Sequence, residues 1–148
     1  MAKASRRVLV VDDDPDAREL FSLVLEQAGA EVTRAADGFT ALRAVSERHP
    51  DLVITDIEMP RMNGVELTRQ LRNRSATKAI PIVVITGTSM DDLTGHARAV
   101  GCSTVVPKPC APELLVGIVN RHIGRRREDG GAEEEHPFLP LFPERRGS

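Results

Sequence analysis

Three stretches of this chain are apolar with hardly a break and rich in β-branched residues: Val8-Leu9-Val10-Val11, Leu52-Val53-Ile54 and Ile80-Pro81-Ile82-Val83-Val84-Ile85. A strand with one wet face alternates apolar and polar residues. A run with no polar position has to be covered on both sides, which is the situation of strands in a parallel sheet sandwiched by helices. Parallel neighbours also need a long connection between them, and the sequence supplies a helical pattern after each strand. Strands and helices alternate five times in about 120 residues, so the expectation is an α/β domain with right-handed crossovers and helices on both faces.

The punctuation between these runs fits that reading. After Val11 come Asp12 and Asp13, then Asp14-Pro15, an N-cap with proline in the first helical turn. Leu20, Phe21, Val24, Leu25 and Ala28 recur at spacings of three and four, predicting a helix to about Ala28 that Gly29 ends in a left-handed cap. A short strand is expected over Glu31 to Ala35, and a second helix from Thr40 to Arg48. Beyond the strand over Leu52 to Ile54, Met59-Pro60 and Asn63-Gly64 are turn signals before a third helix, Gly64 to Arg72. The strand over 80–85 precedes a polar helix, about Met90 to Val100. Ser103 to Val106 is the last strand, and Pro112 to Ile123 the last helix, with Leu114, Leu115, Ile118 and Val119 as its apolar stripe.

Polar groups stand where the apolar runs stop: Asp12 and Asp13 after the first strand, Asp56 after the third, Thr86 after the fourth and Lys108 after the fifth. In an open parallel sheet these ends share one edge, where such folds bind their ligands. Crowded carboxylates repel one another unless a cation sits among them, and an all-oxygen donor set that stays partly hydrated suits Mg²⁺. A cation, a lysine and a hydroxyl together would stabilise a phosphoryl group during transfer.

The segments VLVVDDDPDARELF, DLVITDIEMPRMNG, PIVVITGT and VPKP, in that order, resemble the receiver domain of two-component response regulators over about residues 6–123. The resemblance implies a flavodoxin-like fold of strand order 2-1-3-4-5, with Asp56 as phosphoacceptor. It implies a phosphohistidine donor on a sensor histidine kinase or histidine phosphotransfer protein. Asp12, Asp13 and Asp56, with the backbone carbonyl of Glu58, correspond to the protein ligands of Mg²⁺. Thr86 corresponds to the hydroxyl that moves to the phosphoryl group and Lys108 to the lysine that pairs with it. The peptide Lys108-Pro109 is expected to be cis. Such a domain catalyses only its own phosphoryl transfer and dephosphorylation. Two positions depart from the family: Val105 stands where the last strand usually carries an aromatic, and Cys110 where phenylalanine is common. Glu58 and Thr88 lie where the family tunes phosphoryl lifetime.

Two other readings compete. Asp12-Asp13-Asp14 after an apolar strand also resembles the start of haloacid-dehalogenase-type phosphatases, but Asp16 occupies the position of their Thr or Val. The acidic pair Asp91-Asp92 also precedes Lys108 rather than following it. A degenerate receiver used only as an interaction module would lack some of the five site residues, and all five are present. Composition narrows the partners. The net charge is −2 and there is no Trp or Tyr, so neither nucleic acid nor an anionic membrane is an expected partner. Two cysteines, Cys102 and Cys110, are too few for a disulfide framework, and the apolar run behind MAKASRR is too short for a signal peptide, so a cytoplasmic location is expected. His49, His96, His122 and His136 are scattered and join no constellation. From Gly124 the chain carries six acidic and five Arg residues with no amphipathic period, so residues 124–148 are predicted to be a disordered tail. Within it, Phe138-Leu139-Pro140-Leu141-Phe142 is an apolar peptide. No DNA-binding or catalytic pattern follows Ile123, so signalling is expected to run through contacts with an unidentified downstream protein.

Overall fold

The computed structural model describes residues 6–87 and 91–124, with the backbone alone at 91–94. Thr88 and the peptide Phe138–Phe142 lie outside the described residues, as does the predicted tail beyond Gly124. Five strands, β1 (Arg7–Val11), β2 (Glu31–Ala35), β3 (Leu52–Asp56), β4 (Ile82–Thr86) and β5 (Thr104–Pro107), alternate with five helices. These are α1 (Pro15–Gln27), α2 (Gly38–Glu47), α3 (Gly64–Arg72), α4 (Asp91–Ala99) and α5 (Pro112–Ile123). All four strand pairings are parallel, in the order β2-β1-β3-β4-β5. The expected architecture and strand order are both present.

The uninterrupted apolar runs are explained by the two-residue period of a strand. Leu9, Val11, Val53, Ile82 and Val84 point to one face, where they pack with Ala41 and Val45 of α2, Leu67 and Leu71 of α3 and Ala97 of α4. Val8, Val10, Leu52, Ile54, Val83 and Ile85 point to the other, against Phe21 and Leu25 of α1 and Leu115, Ile118 and Val119 of α5. One strand residue thus serves each layer in turn, and no position is left for a polar side chain.

Boundaries move by one or two residues from the sequence expectations. β4 begins at Ile82, because Ile80 and Pro81 precede the ladder; the Pro81 carbonyl still accepts from Val53 N–H at 3.0 Å. α2 begins at Gly38, because the Asp37 carboxylate caps it by accepting from Thr40 N–H at 2.7 Å. Asp14 caps α1, accepting from Asp16 N–H at 3.2 Å, and Gly29 adopts a φ of +101° beyond its end. The Lys108-Pro109 peptide is cis, as expected. Arg72 is a tie that periodicity does not show. Its Nε donates to Gly101 O at 2.8 Å and its Nη1 to Ile80 O at 2.7 Å, joining α3 to the segments that lead into β4 and β5. No helix among the described residues is long and apolar enough to cross a membrane.

Candidate functional site

Because every strand runs the same way, the carboxyl ends of β1, β3, β4 and β5 open on one edge. Val11 is level with Thr55, so Asp12 and Asp56, one residue further along, come out side by side. Asp56 is level with Ile85, and Thr86 with Pro107, which brings Thr86 and Lys108 to the same edge. Carboxylate oxygens of Asp12, Asp13 and Asp56 lie within 4.8 Å of one another. Lys108 Nζ stands 3.6 Å from Asp56 Oδ1 and 3.8 Å from Asp12 Oδ2. The backbone N–H of Lys108 donates to Thr86 O at 2.7 Å, tying the lysine to the end of β4.

Burial makes the cluster electrostatically uncomfortable. The Asp56 carboxyl is pushed up to about 6, first by desolvation and next by the charge of Asp12. Lys108 and the N–H of Glu58 pull the other way without reversing the shift. Asp12 is also raised, by burial above all, against the opposing pull of the Asp14 N–H and Lys108. Two buried acids and one exposed acid with a single lysine between them have surplus negative charge. A small hard dication fits that donor set: the oxygens are carboxylate, and no His or Cys among the described residues joins the group.

The acidic loop is held from several sides. Asp12 N–H donates to Ala35 O at 3.1 Å, Asp12 Oδ1 accepts from Asp14 N–H at 3.0 Å, and Arg18 Nη1 donates to Asp12 O at 2.9 Å. Asp14 itself is a helix cap and stays out of the carboxylate group. Asp56 is braced at its carbonyl, which accepts from Thr55 Oγ1 at 2.9 Å. Gly64, the first residue of α3, lies so close that a Cβ there would come within 2.5 Å of Asp56 O. The loop between β3 and α3 crosses to α2: Arg61, at a φ of 68°, bonds Asp37 at 3.1 Å and stacks over Phe39, with Met62 packed on Gly38.

Residues 8–120 match the response regulator receiver domain family. The chain belongs to it. This receiver is 34% identical over 119 residues to the protein PilG of Pseudomonas aeruginosa, covering 79% of this chain and 87% of PilG. It superposes on the chemotaxis protein CheY4 of Vibrio cholerae with a TM-score of 0.76 at 35% identity, over 81% of this chain and all of that one. The receiver domain of the sensor histidine kinase PA1611 of Pseudomonas aeruginosa, solved with a magnesium ion in its active-site cleft, superposes at 0.75 with 26% identity, covering 82% of this chain and 99% of that domain. Receivers are modules of two-component signalling, working opposite sensor kinases or phosphotransfer proteins.

Of the residues expected at the site, Asp12, Asp13, Asp56, Thr86 and Lys108 come together in this receiver. Glu58 contributes its N–H to the Asp56 carboxylate. The three histidines within the described residues lie elsewhere: His49 Nε2 is 2.9 Å from Ala76 O, His96 is in the last turn of α4, and His122 Nε2 is 3.0 Å from Thr104 Oγ1. Burial pushes the Cys102 thiol up to about 11, so it is not a thiolate near neutral pH. Arg18 was not singled out by the sequence. Its signal was its spacing: four residues after the cap Asp14, it lies one helical turn in and can reach back over the acidic loop.

Proposed function

We propose that this receiver accepts a phosphoryl group on Asp56 from the phosphohistidine of a sensor histidine kinase or phosphotransfer protein, in the cytoplasm, and signals through altered protein contacts. The convergence of three carboxylates and a lysine at one sheet edge carries this reading. Asp12, Asp13, Asp56 and the backbone carbonyl of Glu58 would hold Mg²⁺, which neutralises phosphoryl oxygens and keeps carboxylates ionised.

The chain's own part follows from its geometry. Asp56 Oδ attacks phosphorus, the N–P bond of the donor breaks, and its electron pair returns to the imidazole nitrogen, which takes up a proton from solvent. Lys108, 3.6 Å from Asp56 Oδ1, is placed to pair with the charge that the transferred group brings. Thr86, buried at the end of β4, supplies a hydroxyl to the same edge. Loss of the phosphoryl group to water would use the same constellation.

Incubation with acetyl phosphate and Mg²⁺ should add one phosphoryl group, seen as a retarded band on a phosphate-affinity gel. The band should vanish in Asp56→Asn and in EDTA. Label that persists in either case overturns the assignment. A receiver that takes no label from acetyl phosphate or from any histidine kinase would instead be a phosphorylation-independent interaction module.

A further inference from the structure

Asp12 sits where β1 gives way to the acidic loop, and four contacts fix it. Its N–H is bound by Ala35 O, its Oδ1 by the Asp14 N–H, and its Oδ2 faces Lys108. The fourth contact is to its carbonyl, and it comes from Arg18 Nη1 at 2.9 Å. That carbonyl belongs to the planar peptide unit joining Asp12 to Asp13. Unless the two changes cancel, turning about ψ of Asp12 or φ of Asp13 swings one carboxylate relative to the other. The N–H of Asp12, on the preceding peptide unit, is held by Ala35 O of β2, and the carbonyl is the point at which Arg18 holds this one.

We propose that Arg18 is a positioning residue of the acidic pocket: its guanidinium locks the Asp12–Asp13 peptide and thereby sets the directions of both carboxylates relative to Asp56. Arg18 is suited to this. It is half-buried, its donor is charged, and such bonds are shorter and stronger than neutral ones. Its own backbone N–H donates to Asp14 O at 2.9 Å, so the side chain springs from the ordered first turn of α1. Groups that orient the ligands of a metal commonly matter nearly as much as the ligands themselves. The consequence for Mg²⁺ rests on the function proposed above; the consequence for loop geometry does not.

The test uses the full chain and three variants, Arg18→Ala, Arg18→Met and Arg18→Lys. Met keeps the length without a donor, and Lys restores a single charged donor, which is all that the carbonyl receives. Titration with MgCl₂ by calorimetry should show a dissociation constant raised about tenfold in Ala and Met, the lower end for loss of an orienting group. Lys should recover to within about threefold of wild type. In parallel, amide hydrogen exchange without metal should show the Asp14 N–H, which donates to Asp12 Oδ1, less protected in Ala and Met and restored in Lys. Unchanged affinity and unchanged exchange in Met overturn the proposal. So does weaker Mg²⁺ binding with unaltered exchange, because Arg18 would then act by a route other than the geometry of the loop. If the wild-type chain binds no Mg²⁺, the proposed function falls, while the metal-free exchange still judges Arg18.

Discussion

Replacing Asp56 with asparagine should stabilise the metal-free receiver, and the gain should depend on pH in a defined direction. In the folded protein the Asp56 carboxyl titrates at about 6 rather than 3.8. At about 1.4 kcal/mol per pH unit, keeping it ionised costs the folded state about 3 kcal/mol at pH 8. The sign follows from proton binding. With its folded pKa raised, the group favours folding below about pH 4, and that advantage fades as pH rises through 6. The asparagine side chain would keep an oxygen for the Glu58 N–H but carry no charge against Asp12, and burying its amide returns part of the gain. A net stabilisation of about 1–2 kcal/mol at pH 8 remains, shrinking to nearly nothing at pH 4. With no Trp or Tyr in the chain, urea unfolding in EDTA is best followed by far-UV circular dichroism. Saturating Mg²⁺ should then stabilise wild type and leave the variant behind. Equal stabilities at pH 8, or a difference of the same size at pH 4 and pH 8, would refute the argument that charge crowding burdens this site.

Arg72→Ala should destabilise the fold by about 2–3 kcal/mol in urea unfolding, since two carbonyls lose a charged donor, and Arg72→Lys should not restore it because one ammonium cannot reach both; a loss under about 0.5 kcal/mol would remove Arg72 from the ties that matter. Deleting residues 125–148 should shift the melting temperature by no more than about 2 °C, because that segment offers no periodic apolar face to bury. A large drop would mean that Phe138 to Phe142 packs on the domain. On adding a beryllofluoride mimic of the phosphoryl group, hydrogen exchange should change most over residues 87–100 and little at Val105, a buried β-branched side chain with few rotamers to exchange; changes centred on 103–106 instead would reverse that order.

The sheet was legible because its signal is local and redundant. Val8–Val11 and Ile82–Ile85 admit no polar residue, and a carboxylate or hydroxyl marks the end of three strands, so order, direction and site edge follow together. Element ends were less so, since they are set by contacts at a distance from the pattern. β4 starts late because the Pro81 carbonyl meets Val53 from outside the ladder, and α2 starts early because Asp37 caps it. The convergence of Asp12, Asp13, Asp56, Thr86 and Lys108 was readable as chemistry at strand ends. Their supports were not: Arg18 on Asp12, Arg72 across Ile80 and Gly101, and Arg61 over Phe39 are long side chains reaching other elements. Nothing in hydrophobic periodicity encodes where such an arginine will turn.

Gly64 presses against the carbonyl of Asp56 so closely that not even a methyl group would fit between them. The end of β3 is therefore backed by a wall on its α3 side. A tightening of the pocket cannot be absorbed there, because the first turn of α3 has no distance left to travel. Beside α3 on the same face, Ala97 is the one described side chain of α4 in the buried core. The molecule is thus lopsided in what it can report. Under the switching proposed above, a protein gripping α2 or α3 would learn only that the receiver is folded, whereas one gripping α4 would learn what state it is in.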